Sequence, residues 1–149
     1  MHIFVKIVLF ALTVTQINGV DFTDCGSATG KVTAILVTGC SSSSDICDFK
    51  AGTNVSIEVK FQSETNSNAA TVKIWGIIAG VPVPFDLKPS DACSHWNINC
   101  PIVNGNNYDL KISVPILSQY PKIKVQVRVA LLDANNSKLF CQQFPVQID

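Results

Sequence analysis

Six cysteines limit what this chain can fold into more than any other feature of its sequence. All of them lie beyond residue 19, at Cys25, Cys40, Cys47, Cys93, Cys100 and Cys141. An even number of cysteines behind a secretory signal is typical of a disulfide framework that forms in an oxidising compartment. We therefore expect a small secreted domain whose fold is held by disulfide bridges.

Spacing favours one of the 15 pairings that six cysteines allow. The pairs Cys40–Cys47 and Cys93–Cys100 each bracket a short loop, so their partners meet easily. By elimination Cys25 joins Cys141, and closing that long loop is worth ~4–5 kcal/mol in the chain-entropy model. A zinc site is disfavoured because neither short pair has Cys-x-x-Cys spacing and His95 is the one histidine beyond residue 19. We expect no metal and no cofactor.

The first 19 residues have the pattern of a secretory signal peptide. His2 and Lys6 form a basic start, residues 7–12 are apolar, and polar residues then lead to the small Gly19. The apolar run is too short for a membrane-spanning helix, which needs about 20 residues. We expect cleavage after Gly19 and one secreted domain from Val20 to Asp149.

The charge of the chain excludes two classes of partner. The sequence carries 11 basic and 11 acidic side chains, and the basic residues form no stripe. Nucleic acids and anionic membranes recruit proteins through strongly basic surfaces. We expect no nucleic-acid binding and no recruitment by bulk membrane charge.

Alternating apolar residues predict an all-β fold. The pattern is clearest in residues 55–61 and in Lys122–Leu131, where every second residue is apolar. Weaker strands are predicted at Lys31–Thr38, Thr71–Ile78, Tyr108–Val114 and Leu139–Ile148. About seven short strands without a helix of three turns predict an immunoglobulin-like β-sandwich of two sheets.

Two apolar segments do not fit a plain sandwich core. Ile74–Phe85 contains no charge, and Pro82 and Pro84 exclude its second half from a central strand because proline has no N–H. Val114–Pro121 is likewise apolar and bounded by prolines. Such segments need a cover: the opposite sheet, a ligand or a partner. One explanation is ordinary packing; the other is an apolar cavity between splayed sheets, with these segments at its rim.

Motifs along the whole chain carry a resemblance to a known family. In chain order they are DCGS at Asp24–Ser27, Gly30, the Cys40/Cys47 pair, GVPVPF at Gly80–Phe85, DAC at Asp91–Cys93, Cys100–Pro101, Tyr120–Pro121, LLD at Leu131–Asp133, and FC followed by PVQI within Phe140–Ile148. With them the chain resembles the family of the second, small and soluble Niemann-Pick type C sterol carrier and its arthropod relatives. The resemblance implies an ML lipid-recognition domain, a seven-stranded sandwich, the disulfide pairing above and a ligand tunnel between the sheets.

The resemblance also assigns functional residues. It places the pocket mouth on Phe85, Ile116 and Tyr120, with Pro115 beside them, and implies that these four residues bind the ligand. An aromatic pair at a mouth can pack on a rigid apolar ligand and swing aside for its entry.

A second set of residues matches the surface through which the family carrier presents its cargo to a membrane partner. These are Ala79, Val81 and Val83. The chain departs from vertebrate members at Ala79, where they carry a larger apolar residue, and at Val129, where they carry Trp. A roomier cavity of different shape would also suit fatty acids.

The resulting expectation is a monomeric carrier that binds a sterol or a fatty acid and delivers it to a membrane sterol-transport protein, either outside cells or in the lysosomal lumen. The alternatives are a carrier of fatty acids or semiochemicals, and innate immune recognition of bacterial lipid. The immune role needs cations near the mouth to bind lipid phosphates. The candidate cations are Lys88, Lys111, Lys122 and Lys124.

An enzyme is disfavoured. A Ser-His-Asp arrangement would have to use His95, and no Ser or Cys lies in a nucleophile motif. Because His95 falls inside the Cys93–Cys100 loop, we interpret it as a solvated loop residue.

Two sequons predict N-glycans, at Asn54 and at Asn135. Asn54 precedes a predicted strand and Asn135 lies in a predicted turn. We expect Asn135 to be the better acceptor because its turn is more exposed.

Overall fold

The computed structural model describes residues 20–41 and 44–149. The predicted signal peptide, residues 1–19, lies outside the described residues. In the described part the strands are β1 Thr23–Asp24, β2 Gly30–Val37, β3 Cys47–Phe49, β4 Thr53–Ser63, β5 Thr71–Ile78, β6 Val81–Phe85, β7 Asn107–Ile116, β8 Lys124–Leu132 and β9 Lys138–Ile148.

The strands form two sheets. The six-stranded sheet has the order β1-β9-β8-β5-β6, with β3 added parallel to β9, and the three-stranded sheet has the order β2-β4-β7. The predicted all-β sandwich is confirmed. The short strands β1 and β3 were not predicted, because two or three residues are too few to show alternation.

The core lies between the sheets and follows from the alternation. Val55, Ile57 and Val59 on β4 point inward and are at most 3% exposed. Aromatic rings fill the end away from residue 53: the Phe61 ring lies 5.4 Å from that of Phe140. Each fully buried large apolar side chain contributes about 1.5–3 kcal/mol relative to an exposed one.

The structure explains how a strand can contain both Pro82 and Pro84. Strands β5 and β6 form a hairpin whose two turn residues, Ala79 and Gly80, both have positive φ, of 51° and 80°. That is the type I′ geometry that two-residue hairpins favour. In such a hairpin the residues next to the turn exchange hydrogen bonds, so the nitrogens of Pro82 and Pro84 face away from β5. The sequence excluded this segment from a central strand, and β6 is an edge strand.

A third proline protects the neighbouring edge. The N–H of Gly52 donates to the carbonyl of Ile116 at 2.6 Å, so Ile116 faces β4 and the nitrogen of Pro115 faces outward. Further from the mouth, segment 86–101 covers both edges. Its Ser90 carbonyl accepts from Val72 of β5 at 2.8 Å, and its Trp96 carbonyl accepts from Lys111 of β7 at 3.2 Å. Neither edge therefore offers a long row of free donors.

The disulfides tie the periphery to this frame. Cys25 is bonded to Cys141, Cys40 to Cys47 and Cys93 to Cys100, which are the pairs predicted from the sequence. The first bridge joins the N-terminal strand β1 to the fully buried Cys141 of β9. The second joins β2 to β3, and the third closes a loop within segment 86–101.

Removing the long-range bridge should destabilise the fold more than removing a short one. Its partners are separated by 116 residues. The variant Cys25→Ser/Cys141→Ser should lose ~4–5 kcal/mol of unfolding free energy because its unfolded chain gains most freedom. We expect the melting temperature to fall by roughly 10–20 °C. The matched control, Cys93→Ser/Cys100→Ser, opens a short loop and should lose only ~2–3 kcal/mol. Equal losses would contradict this entropic account.

The outward prolines predict the oligomeric state. The variant Pro82→Val/Pro84→Val restores two outward N–H donors to an uncharged edge strand, so a second copy can pair with it. We expect concentration-dependent dimers or larger species by light scattering, where the wild type stays monomeric. Pro145→Val is the control, because the nitrogen of Pro145 faces the gap between β1 and β3 inside the sheet. A monomeric double variant would refute edge protection.

Candidate functional site

A cavity of about 280 Å³ lies between the two sheets, at the end where β5 meets β6. Its volume is close to the lower end of the roughly 300–1,000 Å³ usual for small-molecule pockets. Both sheets and the segment between β7 and β8 contribute to its walls.

The six-stranded sheet forms one wall. Strand β5 contributes Ile74, Gly76 and Ile78, whose spacing of two places them on its inner face. Cross-strand neighbours extend the wall on both sides: Gly76 pairs with Val83 of β6 and with Val127 of β8. Most of this wall is aliphatic, with bare backbone at Gly76, and Trp75 and its partner Pro84 also contribute to the lining.

The three-stranded sheet forms the opposite wall. Ile57 of β4 and two residues of β7, Val114 and Ile116, line the cavity from this side. Phe49 of β3 and Ile148 of β9 close it laterally. Sheet pairing places Phe49 directly beside Ile148, so the parallel strand β3 serves to complete the wall.

An aromatic pair flanks the mouth. The rings of Phe85 and Tyr120 are 6.3 Å apart and meet edge to face at 80°. Phe85 ends the edge strand β6, and Tyr120 lies in the connection between β7 and β8, where its N–H donates to the carbonyl of Leu117 at 3.1 Å. Phe85 lies on the edge strand, paired with Ile74, and Tyr120 lies outside the sheets, so either side chain can rotate without a change in the strand pairing.

The lining of the cavity favours apolar ligands. Its lining in the described structure contains one ionisable side chain, Tyr120, and burial raises the pKa of that phenol above its usual value, so it stays neutral. His95 is exposed, with its ring 4.5 Å from that of Trp96, and does not line the cavity. Among the described residues, the neutral Tyr120 phenol is thus the one ionisable group that faces the cavity.

Residues 20–41 and 44–149 contain no group of three or more His, Cys, Asp or Glu side chains that could hold a metal ion. The same residues form no helix long and apolar enough to cross a membrane.

Three of the four predicted ligand-binding residues line the cavity. Phe85, Ile116 and Tyr120 do so, whereas Pro115 is exposed on the outer face of the three-stranded sheet. The placement of Pro115 in the binding site was wrong for a simple reason. Neighbouring residues of a strand point to opposite faces, so an inward Ile116 requires an outward Pro115.

The sequence did not identify the other walls. Val125 and Val127 line the cavity, while Val129 on the same strand is fully buried below it and pairs with Ile74. Val129 itself does not line the cavity. Alternation identifies all of these residues as inward-facing, but only the separation of the sheets decides which of them meet open space.

An exposed apolar surface adjoins the mouth. The predicted partner residues Ala79, Val81 and Val83 lie on the β5–β6 hairpin, and Val81 is 59% exposed and Val83 45%. Ile78 and Leu117 are also exposed beside them, at 37% and 40%. We call these five residues the rim patch. Its use as a partner surface stays a prediction.

The four candidate cations are divided between two regions. Lys122 and Lys124 are exposed on either side of Ile123, which lines the cavity. Lys111 lies on the outer face of the three-stranded sheet, 3.9 Å from Asp109, and Lys88 lies 3.5 Å from Asp86. Two lysines are thus near the mouth.

The two sequons lie at opposite ends of the sandwich. Asn54 is exposed at the mouth end of β4, paired with Pro115. Asn135 is exposed in the turn between β8 and β9, where its N–H donates to the Asp133 carboxylate at 2.9 Å. Glycosylation at either position stays a prediction.

Comparison with known proteins places this fold and cavity in a family. A family model described as ML domain matches residues 19–148 of the chain. The chain belongs to the ML-domain family.

Full-length relatives support this membership. The chain is 37% identical to NPC intracellular cholesterol transporter 2 of Danio rerio, over 95% of this chain and 93% of that protein. It is 33% identical to the ecdysteroid-regulated 16 kDa protein of Manduca sexta, over 94% and 99%. The crystal structure of a Niemann-Pick type C2 protein from the Japanese carpenter ant matches with a TM-score of 0.83 at 24% identity, covering 87% of this chain and 99% of that chain. This last likeness shows the ML-domain fold.

Truncating the aromatic pair should weaken binding to the ML-domain cavity. Phe85→Ala and Tyr120→Ala each remove a ring from the mouth, and aromatic contacts of this kind are worth ~0.5–1.5 kcal/mol, or about 2- to 10-fold in affinity. Titration of an apolar fluorescent probe measures the loss. Tyr120→Phe keeps the ring and should bind like the wild type. Normal binding by both alanine variants would show that the mouth lies elsewhere.

Proposed function

We propose that this ML-domain protein is a lipid carrier that holds a sterol in the cavity between its sheets. The observation that carries the proposal is the lining, which is almost entirely apolar and ends at an aromatic pair. Support comes from relatives of similar length that are named cholesterol transporters. We take the protein to be a passive carrier, which agrees with a lining whose described residues include one ionisable side chain, the neutral Tyr120.

Apolar burial supplies the binding energy. Removing ~400–500 Å² of ligand surface from water is worth about 10 kcal/mol at about 25 cal/mol per Å². Loss of ligand freedom reduces this, leaving affinity in the micromolar range or tighter. A rigid ring system loses less conformational freedom than a flexible chain, which favours a sterol.

The lining also fixes the orientation of the cargo. A buried hydroxyl without a hydrogen-bond partner costs about 1–3 kcal/mol. Because the walls are apolar, the sterol hydroxyl stays at the mouth, where water and the Tyr120 phenol are in reach. The apolar end of the sterol enters first.

The same geometry suits delivery. The rim patch surrounds the opening with exposed apolar side chains, so a membrane sterol-transport protein that covers it would receive cargo without passage through water. The three disulfides suit an oxidising compartment. We place this delivery outside cells or in the lysosomal lumen.

Competition binding tests the proposal. A fluorescent sterol is bound to the delipidated protein, and unlabelled cholesterol or oleic acid is added. We expect cholesterol to displace the probe at lower concentration than oleic acid, because the rigid rings lose less freedom. Stronger displacement by oleic acid would make the protein a fatty-acid carrier. A probe that never binds would overturn the cavity assignment.

A further inference from the structure

Gly76 is an unusual residue to find in the cavity wall. It lies within β5, between the inward Ile74 and Ile78, with Val83 and Val127 as its cross-strand partners. Of the described residues that line the cavity, it is the one without a side chain. A strand interior normally favours β-branched residues, and glycine there is destabilising by roughly 0.5–1 kcal/mol relative to alanine.

The usual structural reasons for a strand glycine do not apply here. Strand β5 pairs without a register shift both with β6 and with β8, so Gly76 is not at a bulge. Its φ lies outside the left-handed region, so its backbone conformation is open to other residues. A Cβ built at Gly76 would approach one atom within 4 Å, the Val125 Cγ2 at 3.3 Å, and no backbone atom. Close approach of another strand is therefore excluded too.

A strand interior also uses glycine where a ligand approaches the backbone closely, and this explanation remains for Gly76. On the inner face, the Cα of Gly76 is the floor of a notch between Val83, Val125 and Val127. The facing wall carries full side chains, such as Val114 and Ile116. The notch thus adds depth to a narrow cavity at one place.

We infer that Gly76 is a specificity-determining residue, which admits a rigid fused-ring lipid flush against the β5 backbone. This rests on the proposed function and narrows it to one ligand class. A methyl group in the notch holds a flat, inflexible ring system off the wall. A flexible acyl chain bends around the same methyl group and keeps most of its contacts.

The test is Gly76→Ala, with cholesterol and oleic acid as ligands. In a hydrophobic pocket one methyl group changes discrimination by about 10- to 200-fold, and we expect cholesterol affinity to fall within that range. Oleic acid affinity should change by less than about threefold. The melting temperature of the variant should stay within a few degrees of the wild type, since the reduced freedom of the unfolded chain offsets the 3.3 Å contact of the new Cβ with the Val125 Cγ2.

A second variant keeps the test specific. Gly76→Ala/Val125→Ala relieves the contact between the new Cβ and Val125 but leaves the new methyl group in the notch. Because Val125 itself lines the cavity, Val125→Ala alone is the reference for the double variant, and adding Gly76→Ala to it should again lower cholesterol affinity by about 10- to 200-fold. No further loss in the double variant would show that pressure on Val125, and not the filled notch, weakened binding, and would overturn the assignment of the notch.

The outcomes separate this inference from the proposed function. If the wild type binds no sterol, the proposed function fails whatever Gly76 does. If the wild type binds and Gly76→Ala binds cholesterol equally well, or loses both ligands equally, the inference fails. Should Gly76→Ala not fold, the amide resonance of Gly76 in the wild type decides. We expect it to shift more with cholesterol than with oleic acid, and an unmoved resonance would overturn the inference.

Discussion

The structure depends on a gradient of side-chain size along the inner faces of its two sheets. Large rings fill the space at one end, where Phe61 stacks on Tyr108 and contacts Phe140. At the other end the inward positions are mostly aliphatic, such as Val125, and include Gly76, while the aromatic Phe49 and Phe85 lie at the margins. The sheets keep their pairing at both ends, so the smaller residues leave a cavity. The packed end stabilises the fold and the unfilled end leaves room for a ligand. The same alternation of inward and outward residues produces both ends.

The edges of the sandwich show how a protein with an open cavity can avoid aggregation. A cavity mouth exposes apolar side chains, and unpaired strand edges beside it would invite pairing with other chains. Outward-facing Pro82, Pro84 and Pro115 remove donors at that end, and segment 86–101 covers the edges further away. A partner can therefore contact the side chains of the exposed rim patch, while the backbone beside them offers few donors for strand pairing. Partner binding and aggregation thus depend on different groups.

The sequence predicted the sandwich and its long strands well, since alternation is a local signal; Thr71–Ile78 matches β5 at both ends. It also excluded the segment of Pro82 and Pro84 from a central strand, and β6 is at an edge. Other features depend on the distance between sheets, which no local pattern encodes. Pro115 was expected to bind the ligand although alternation turns it outward. Gly76 was not predicted as a site residue, because its place in the cavity wall depends on its cross-strand neighbours. The aromatic pair at the mouth came from the family resemblance.

The central claim is that apolar cargo lies between the sheets rather than on the surface. The most direct measurement is the set of nuclear Overhauser effects between a bound sterol and the methyl groups of the methyl-labelled protein. If the account is right, contacts run from the sterol to Ile57, Ile116 and Val125, on both walls at once. Contacts confined to exposed methyl groups such as those of Leu36 and Val103 would place the ligand outside the sandwich and contradict the account.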